Sequence, residues 1–204
     1  MTVADKVTSI RIILAPIFFI IYLLPNLLQS VIDAPPAGDS PFTPLLKLLW
    51  VIVLWVLFIA SEITDLLDGK IARSRNETSD FGKLFDPFSD TLVRITYFLC
   101  FVIDGMLPAL LLLIVLYREF SIQFLRNLLL KKGIVQGARG GGKVKAVTYM
   151  ITGAVTLLAV SVKTLDLSDR LFSVLRSVSI SIFVLSVILA ILSFLDYLNV
   201  YRKS

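Results

Sequence analysis

The stretch TDLLDGKIARSRNETSDFGKLFDPFSD, Thr64 to Asp90, sets carboxylates beside long runs of Leu, Ile, Val and Phe. Asp65 and Asp68 are spaced i, i+3 and Asp86 and Asp90 i, i+4, so on helices each pair shares one face. With one pair closing a helix and the other opening the next, a short connection brings four carboxylates together. Such a cluster repels itself unless cations fill it, and a pair near a helix C-terminus also meets the negative end of the macrodipole. Hard divalent cations, Mg²⁺ or Mn²⁺, answer both problems, because they prefer oxygen ligands and tolerate shared carboxylates. Two such ions about 3.5 to 4 Å apart form a clamp for phosphoryl transfer. The competing reading is a solvated interfacial loop in which Lys70, Arg73 and Lys83 are the ion-pair partners.

The surroundings limit what those acids belong to. The chain has 204 residues, 57% of them hydrophobic, and a mean hydropathy of +0.88, which marks an integral membrane protein built as a single domain over residues 1–204. There is no histidine, which excludes His-based acid/base chemistry and His ligation of metals, so the chemistry falls to carboxylates, Arg and Lys. The single cysteine, Cys100, lies in an apolar run and reads as packing. A net charge of +5 suits contact with anionic headgroups and phosphates, with no nucleic-acid partner expected.

Six apolar runs are long enough to cross the hydrocarbon: Ile10 to Leu28, Leu45 to Asp65, Leu84 to Ile103, Met106 to Leu125, Val147 to Val162 and Val174 to Val200. The fold class expected is therefore all-α, a polytopic membrane protein of six transmembrane helices with a cytoplasm-facing polar cavity. The first run is longer than a signal-peptide core and is expected to stay. Lys6 and Arg11, then Lys70, Arg73, Arg75 and Lys83, then Lys131, Lys132, Arg139, Lys143 and Lys145, and finally Arg202 and Lys203 all fall on one side of such a topology. The opposite loops hold only Lys163 and Arg170. The positive-inside rule then puts both termini and the acidic stretch on the cytoplasmic side of the inner or plasma membrane.

The complete string is Asp65, two residues, Asp68-Gly69, two residues, Ala72-Arg73, eight residues, Gly82, three residues, Asp86, three residues, Asp90. At every fixed position it resembles the signature of the CDP-alcohol phosphotransferase family. The resemblance implies that Asp65, Asp68 and Asp86 are ligands of a pair of divalent metals. It implies that Asp90 is the base on the acceptor hydroxyl, with a metal contact of its own, and that Asp65, Gly69, Ala72, Arg73 and Gly82 surround the CDP moiety. It also implies a homodimer.

Outside the signature, YREFSIQFLRNLL places Arg118, Glu119 and Arg126 in an apolar helix, where charge is expensive enough to imply a partner. Arg118 with Glu119 also reads as a plain buried ion pair, and Arg126 as a snorkelling side chain. GARGGGKVK brings Lys143 and Lys145 into the next apolar run. Together these basic groups would suit an acceptor carrying its own phosphate. This pattern, with Thr8, Arg11 and Pro16 of DKVTSIRIILAP, looks like the branch of the family that transfers phosphatidyl from CDP-diacylglycerol to sn-glycerol 3-phosphate. Thr8, Arg11, Arg118, Arg126, Lys143 and Lys145 are then the expected acceptor-phosphate ligands. Asp5 stands where that branch usually has Asn, and Ala146 where it commonly has Thr. Inositol, inositol phosphate, serine or a second phospholipid are the alternative acceptors.

Two other classes are weaker. Gly137 to Lys143 reads as the start of a P-loop, but Val144 follows where Ser or Thr would bind Mg²⁺ and no strand precedes it, so a flexible loop is expected there. A divalent-cation transporter would hold its carboxylates near the bilayer midplane, whereas these cluster at one surface.

Overall fold

Long stretches of Leu, Ile, Val, Ala and Phe wind into six helices in the computed structural model, α1 (Val3–Val31), α2 (Pro44–Arg75), α3 (Asp80–Ile103), α4 (Ala109–Lys131), α5 (Gly140–Thr164) and α6 (Asp169–Lys203). The structure describes the backbone of residues 3–31, 43–75, 80–131 and 140–203, and the side chains of 8–28, 43–65, 85–129, 144–199 and 201–202. Among the described residues four stretches, Thr8–Leu28, Pro44–Asp65, Val144–Thr164 and Asp169–Asn199, are long and apolar enough to cross a membrane, which makes this a membrane protein. Helices α3 and α4, at 24 and 23 residues, have comparable length but carry Asp86, Asp90 and Arg94, and Arg118, Glu119 and Arg126.

Apolar side chains lie on the outside as well as in the core, and several polar ones are buried. Ile10, Ile13, Ile17 and Ile20 of α1 are exposed, while Thr8 and Arg11 on the same helix are buried. Lipid accepts the apolar face, and the interior satisfies the polar groups. Buried hydroxyls donate back into their own helices, Thr152 to the Thr148 carbonyl, Thr156 to Thr152 and Ser186 to Ile182. Cys100 is buried and forms no disulfide.

Helix ends follow local chemistry. Thr43 caps α2, its hydroxyl accepting from the Leu46 amide at 3.4 Å, with Pro44 in the first turn where a missing N–H costs nothing. Ser168 caps α6 in the same way through the Leu171 amide at 3.3 Å. Helix α3 closes with Gly105 at φ 68°, Met106 donating to the Phe101 carbonyl and Gly105 to Val102, the Schellman pattern. Helix α5 closes identically, except that Asp166, at φ 53°, takes the left-handed position.

Several boundaries differ from those expected. Helix α2 runs on to Arg75 instead of stopping at Asp65, because Leu66, Leu67, Lys70, Ile71, Ala72 and Arg73 are all helix-compatible and only Gly69 opposes them, by about 1 kcal/mol. Asp65 and Asp68 therefore lie inside a helix, and the macrodipole does not bear on them. Asp86 lies past the first turn of α3, which begins at Asp80. Gly140 to Lys143, expected in a loop, open α5. Met106, expected in the fourth helix, belongs to the turn before it, since Pro108 sets the start of α4.

The chain divides into two compact units, one of residues Met1–Cys100 and Val160–Phe172, the other of Phe101–Ala159 and Ser173–Ser204. Aromatic rings hold α1, α2 and α3 together in the first. Phe18 stacks on Tyr22 and meets the edge of Tyr97 at 4.6 Å, and Tyr97 meets Phe58 at 5.2 Å. The Trp50 indole donates to the Ile21 carbonyl at 2.6 Å, which the helix itself cannot serve because Pro25, four residues on, has no N–H. Trp55 donates to Ser161 at 3.0 Å, and Lys47 pairs with Asp166 at 2.8 Å. In the second unit, Thr152 and Ser186 meet hydroxyl to hydroxyl across α5 and α6 at 3.3 Å.

Candidate active site

In the first unit, α1 lays two polar residues against the acidic signature. Thr8 and Arg11 are spaced i, i+3 and share one helix face. The Thr8 hydroxyl, fully buried, donates to Asp86 Oδ1 at 2.8 Å. One nitrogen of Arg11, Nη1, donates to Asp65 Oδ1 at 2.7 Å and also to Asp90 Oδ1. Asp65 of α2 and Asp90 of α3 thus converge on one point, with Asp86 one helical turn before Asp90. Arg94 approaches the other oxygen of Asp65 at 3.9 Å, and Glu62, one turn before Asp65, lies within electrostatic reach of Arg94, Asp65 and Arg11. The Arg11 side chain is 3% exposed against 33% for Asp65 and 27% for Asp90, so the acids keep an accessible side and the guanidinium does not.

Among the described residues no three acidic groups form a metal-binding set on their own, Asp68 being outside them. The donors that converge are nonetheless all oxygens, the ligand set of a hard cation, and a positive group already bridges two of them. These residues fit a divalent-metal site.

In the second unit, a buried polar knot joins the three helices. Arg118 of α4 donates through Nε to the Ala190 carbonyl of α6 at 3.0 Å, through Nη2 to Ser193 at 3.1 Å, and through Nη1 to Glu119 at 3.0 Å. Glu119 Oε1 also accepts from Lys145 Nζ of α5 at 2.6 Å, and that ammonium lies 5.0 Å above the Tyr149 ring. Arg126 stacks over Tyr197 at 5.6 Å and donates to its hydroxyl at 3.3 Å.

Of the residues singled out by the signature, Asp65 and Asp90 meet at Arg11, and Asp86, one turn before Asp90, meets Thr8. Asp68, Gly69, Ala72 and Arg73 lie along α2 and Gly82 on α3, with side chains outside the described residues. Of the six assigned to an acceptor phosphate, Thr8 and Arg11 contact the aspartates, Arg118 and Lys145 share Glu119, Arg126 lies on Tyr197, and the Lys143 side chain is outside the described residues. Glu62, Arg94 and the bridging position of Glu119 were not anticipated. Arg94 and Glu119 signal themselves as charges inside apolar runs, and Glu62 by its i, i+3 spacing to Asp65.

The family model for CDP-alcohol phosphatidyltransferase matches residues 1–192. A CDP-diacylglycerol–glycerol-3-phosphate 3-phosphatidyltransferase of Treponema pallidum (strain Nichols) is 36% identical over 202 residues, 98% of this chain and 89% of its own. The enzyme of the same name in Bacillus subtilis (strain 168) is 34% identical over 154 residues, 76% of this chain and 75% of its own. A probable phosphatidylglycerophosphate synthase of Mycobacterium tuberculosis (strain ATCC 25618 / H37Rv) is 28% identical over 110 residues, covering 54% and 52%. With an acidic signature shared between α2 and α3 and a match that begins at the first residue and reaches into α6, the chain belongs to the CDP-alcohol phosphatidyltransferase family.

Proposed function

We propose that this enzyme transfers the phosphatidyl group from CDP-diacylglycerol to sn-glycerol 3-phosphate, giving phosphatidylglycerophosphate and CMP in phospholipid biosynthesis. The observation that carries the reading is the end-to-end similarity to the Treponema pallidum transferase named for that reaction. The family is in general dependent on divalent metals. Here Asp65, Asp68, Asp86 and Asp90 would hold two Mg²⁺ or Mn²⁺ ions, whose chemistry when bound is to neutralise the pyrophosphate and the departing CMP.

Asp90 takes the proton of the acceptor hydroxyl as that oxygen attacks the phosphorus bearing the diacylglycerol, and the bond to CMP breaks. Asp65, Gly69, Ala72, Arg73 and Gly82 surround the CDP moiety, the glycines allowing close backbone approach. Thr8, Arg11, Arg118, Arg126, Lys143 and Lys145 form the acceptor-phosphate set. Arg126 Nε, a buried donor with no hydrogen-bond partner among the described residues, supports a place for it there. The whole chain acts as one functional domain with six membrane spans, a polar cavity and both termini facing the cytoplasm at the inner or plasma membrane, and it pairs as a homodimer. The length of α3 and α4, comparable to that of the four apolar stretches, supports the six-span count.

The test incubates purified enzyme with CDP-diacylglycerol and, in separate reactions, glycerol 3-phosphate, inositol, inositol phosphate, serine or phosphatidylglycerol, following CMP release with and without chelator. Release with glycerol 3-phosphate that stops on chelation is expected. Faster release with any other acceptor would overturn the assignment.

A further inference from the structure

The bridge between Asp65 and Asp90 is made by part of the protein itself. A single Arg11 nitrogen bonds one oxygen of each carboxylate, from a side chain 3% exposed, while Thr8 one turn earlier holds Asp86. We propose that Arg11 is a built-in counter-ion of the catalytic carboxylates, which divalent cations displace as they bind. Metal then enters this site by exchange for a guanidinium.

The inference rests on the proposed reading that these aspartates hold metal, and guanidinium and metal then compete for the same ligand atoms. A cation held by Asp65 and Asp90 would draw on the carboxylate charge that Arg11 Nη1 already contacts, and two positive charges would repel strongly there. A planar guanidinium suits the bridging task, since its fork of donors reaches two carboxylates at once. Arg94 is differently placed, 3.9 Å from the other oxygen of Asp65. Without any cation, acids from neighbouring helices would face one another across the α2–α3 packing. Arg11 therefore stabilises the metal-free protein and competes with its metal. Once displaced, the guanidinium becomes available to an anion, which would connect metal loading to its place among the acceptor-phosphate ligands.

A fixed orienting role for Arg11 beside the metal predicts the opposite sign for its removal, and that difference is the test. Mn²⁺ binding to the purified full-length protein in detergent, without substrates, is measured from the free-Mn²⁺ resonance for wild type, Arg11→Gln and Arg11→Lys. Exchange predicts that Arg11→Gln binds Mn²⁺ about tenfold tighter or more, a change of about 1.4 kcal/mol. Arg11→Lys, a point charge with a poorer bridge, should fall between. The melting temperature in EDTA should drop in Arg11→Gln, and Mn²⁺ should raise it by more than it raises wild type. Unchanged or weaker Mn²⁺ binding in Arg11→Gln overturns the proposal. Should that variant fail to fold in EDTA, Arg11→Lys decides, with affinity at or below wild type counting against exchange. Wild type that binds Mn²⁺ and releases CMP upholds the proposed function whatever the variants do. Wild type that binds none removes the metal site and the exchange together.

Discussion

Replacing Glu119 by Gln keeps the shape of the side chain and removes the one negative charge shared by Arg118 and Lys145. Its oxygen accepts from the two cations at 3.0 and 2.6 Å, and all three side chains are at most 11% exposed. Each charge-assisted bond contributes about 1.5 to 3 kcal/mol. The amide oxygen of Gln still accepts neutral-strength bonds of about 1 kcal/mol each, so the net cost is about 1 to 4 kcal/mol. Arg118 retains the Ala190 carbonyl and Ser193, and Lys145 retains the Tyr149 ring, which keeps the loss below that of an isolated buried charge. For a chain of this length that cost lowers the melting temperature by roughly 2 to 16 °C. The assay is thermal unfolding of purified protein in detergent for Glu119→Gln, Lys145→Met and the double variant. The double variant should be more stable than the sum of the singles implies by about 1 kcal/mol or more, because Lys145→Met removes one of the two cations that Glu119→Gln strands. An unshifted melting temperature, or strict additivity, would show that the knot does not hold α4, α5 and α6 together.

Asp90→Asn should still bind CDP-diacylglycerol in a sedimentation assay yet lose turnover by a factor of about 10² or more, the scale of a lost general base. Near-normal CMP release would remove Asp90 from that role. Gly105→Ala should destabilise by about 1 to 2 kcal/mol through backbone strain alone, since nothing lies within 4 Å of the added carbon, while Gly105→Asn should cost less. Equal melting temperatures for the two variants would refute this account of the α3 cap. Trp50→Phe should cost about 1 to 3 kcal/mol by leaving the Ile21 carbonyl without a donor, and adding Pro25→Ala, which restores the helical N–H, should recover part of it. No recovery in the double variant would mean the indole acts only through its packing against Tyr22.

What the sequence revealed and what it hid divide along lines of distance. The acidic signature was legible because Asp65 with Asp68, and Asp86 with Asp90, are local patterns whose spacing alone sets a shared face. Thr8 and Arg11 were also noticed, but their contacts lie 78, 54 and 79 residues away, and no local rule chooses an aspartate over a substrate phosphate as the partner. Glu119 was visible as a charge in an apolar run, yet its tie to Lys145 exists only once α4 and α5 are packed. Helix ends were misread where hydropathy and helix propensity part company. The apolar run stops near Asp65, whereas the backbone preference of Leu66 to Arg73 carries α2 onward. The pairing of Trp50 with a carbonyl orphaned by Pro25 needed both helices in place before either residue meant anything.

The unbroken course of α2 through Arg75 turns the first half of the signature into a helical ruler. Every added or deleted residue between Asp65 and Arg73 would rotate the rest of the helix by about 100° and shift it by about 1.5 Å along the axis. Substitutions there change one side chain at a time, but a change in length would swing every signature residue beyond it away from Asp65 at once. A change in the spacing of this segment therefore disturbs more of the site than a change in the identity of a residue between its fixed positions.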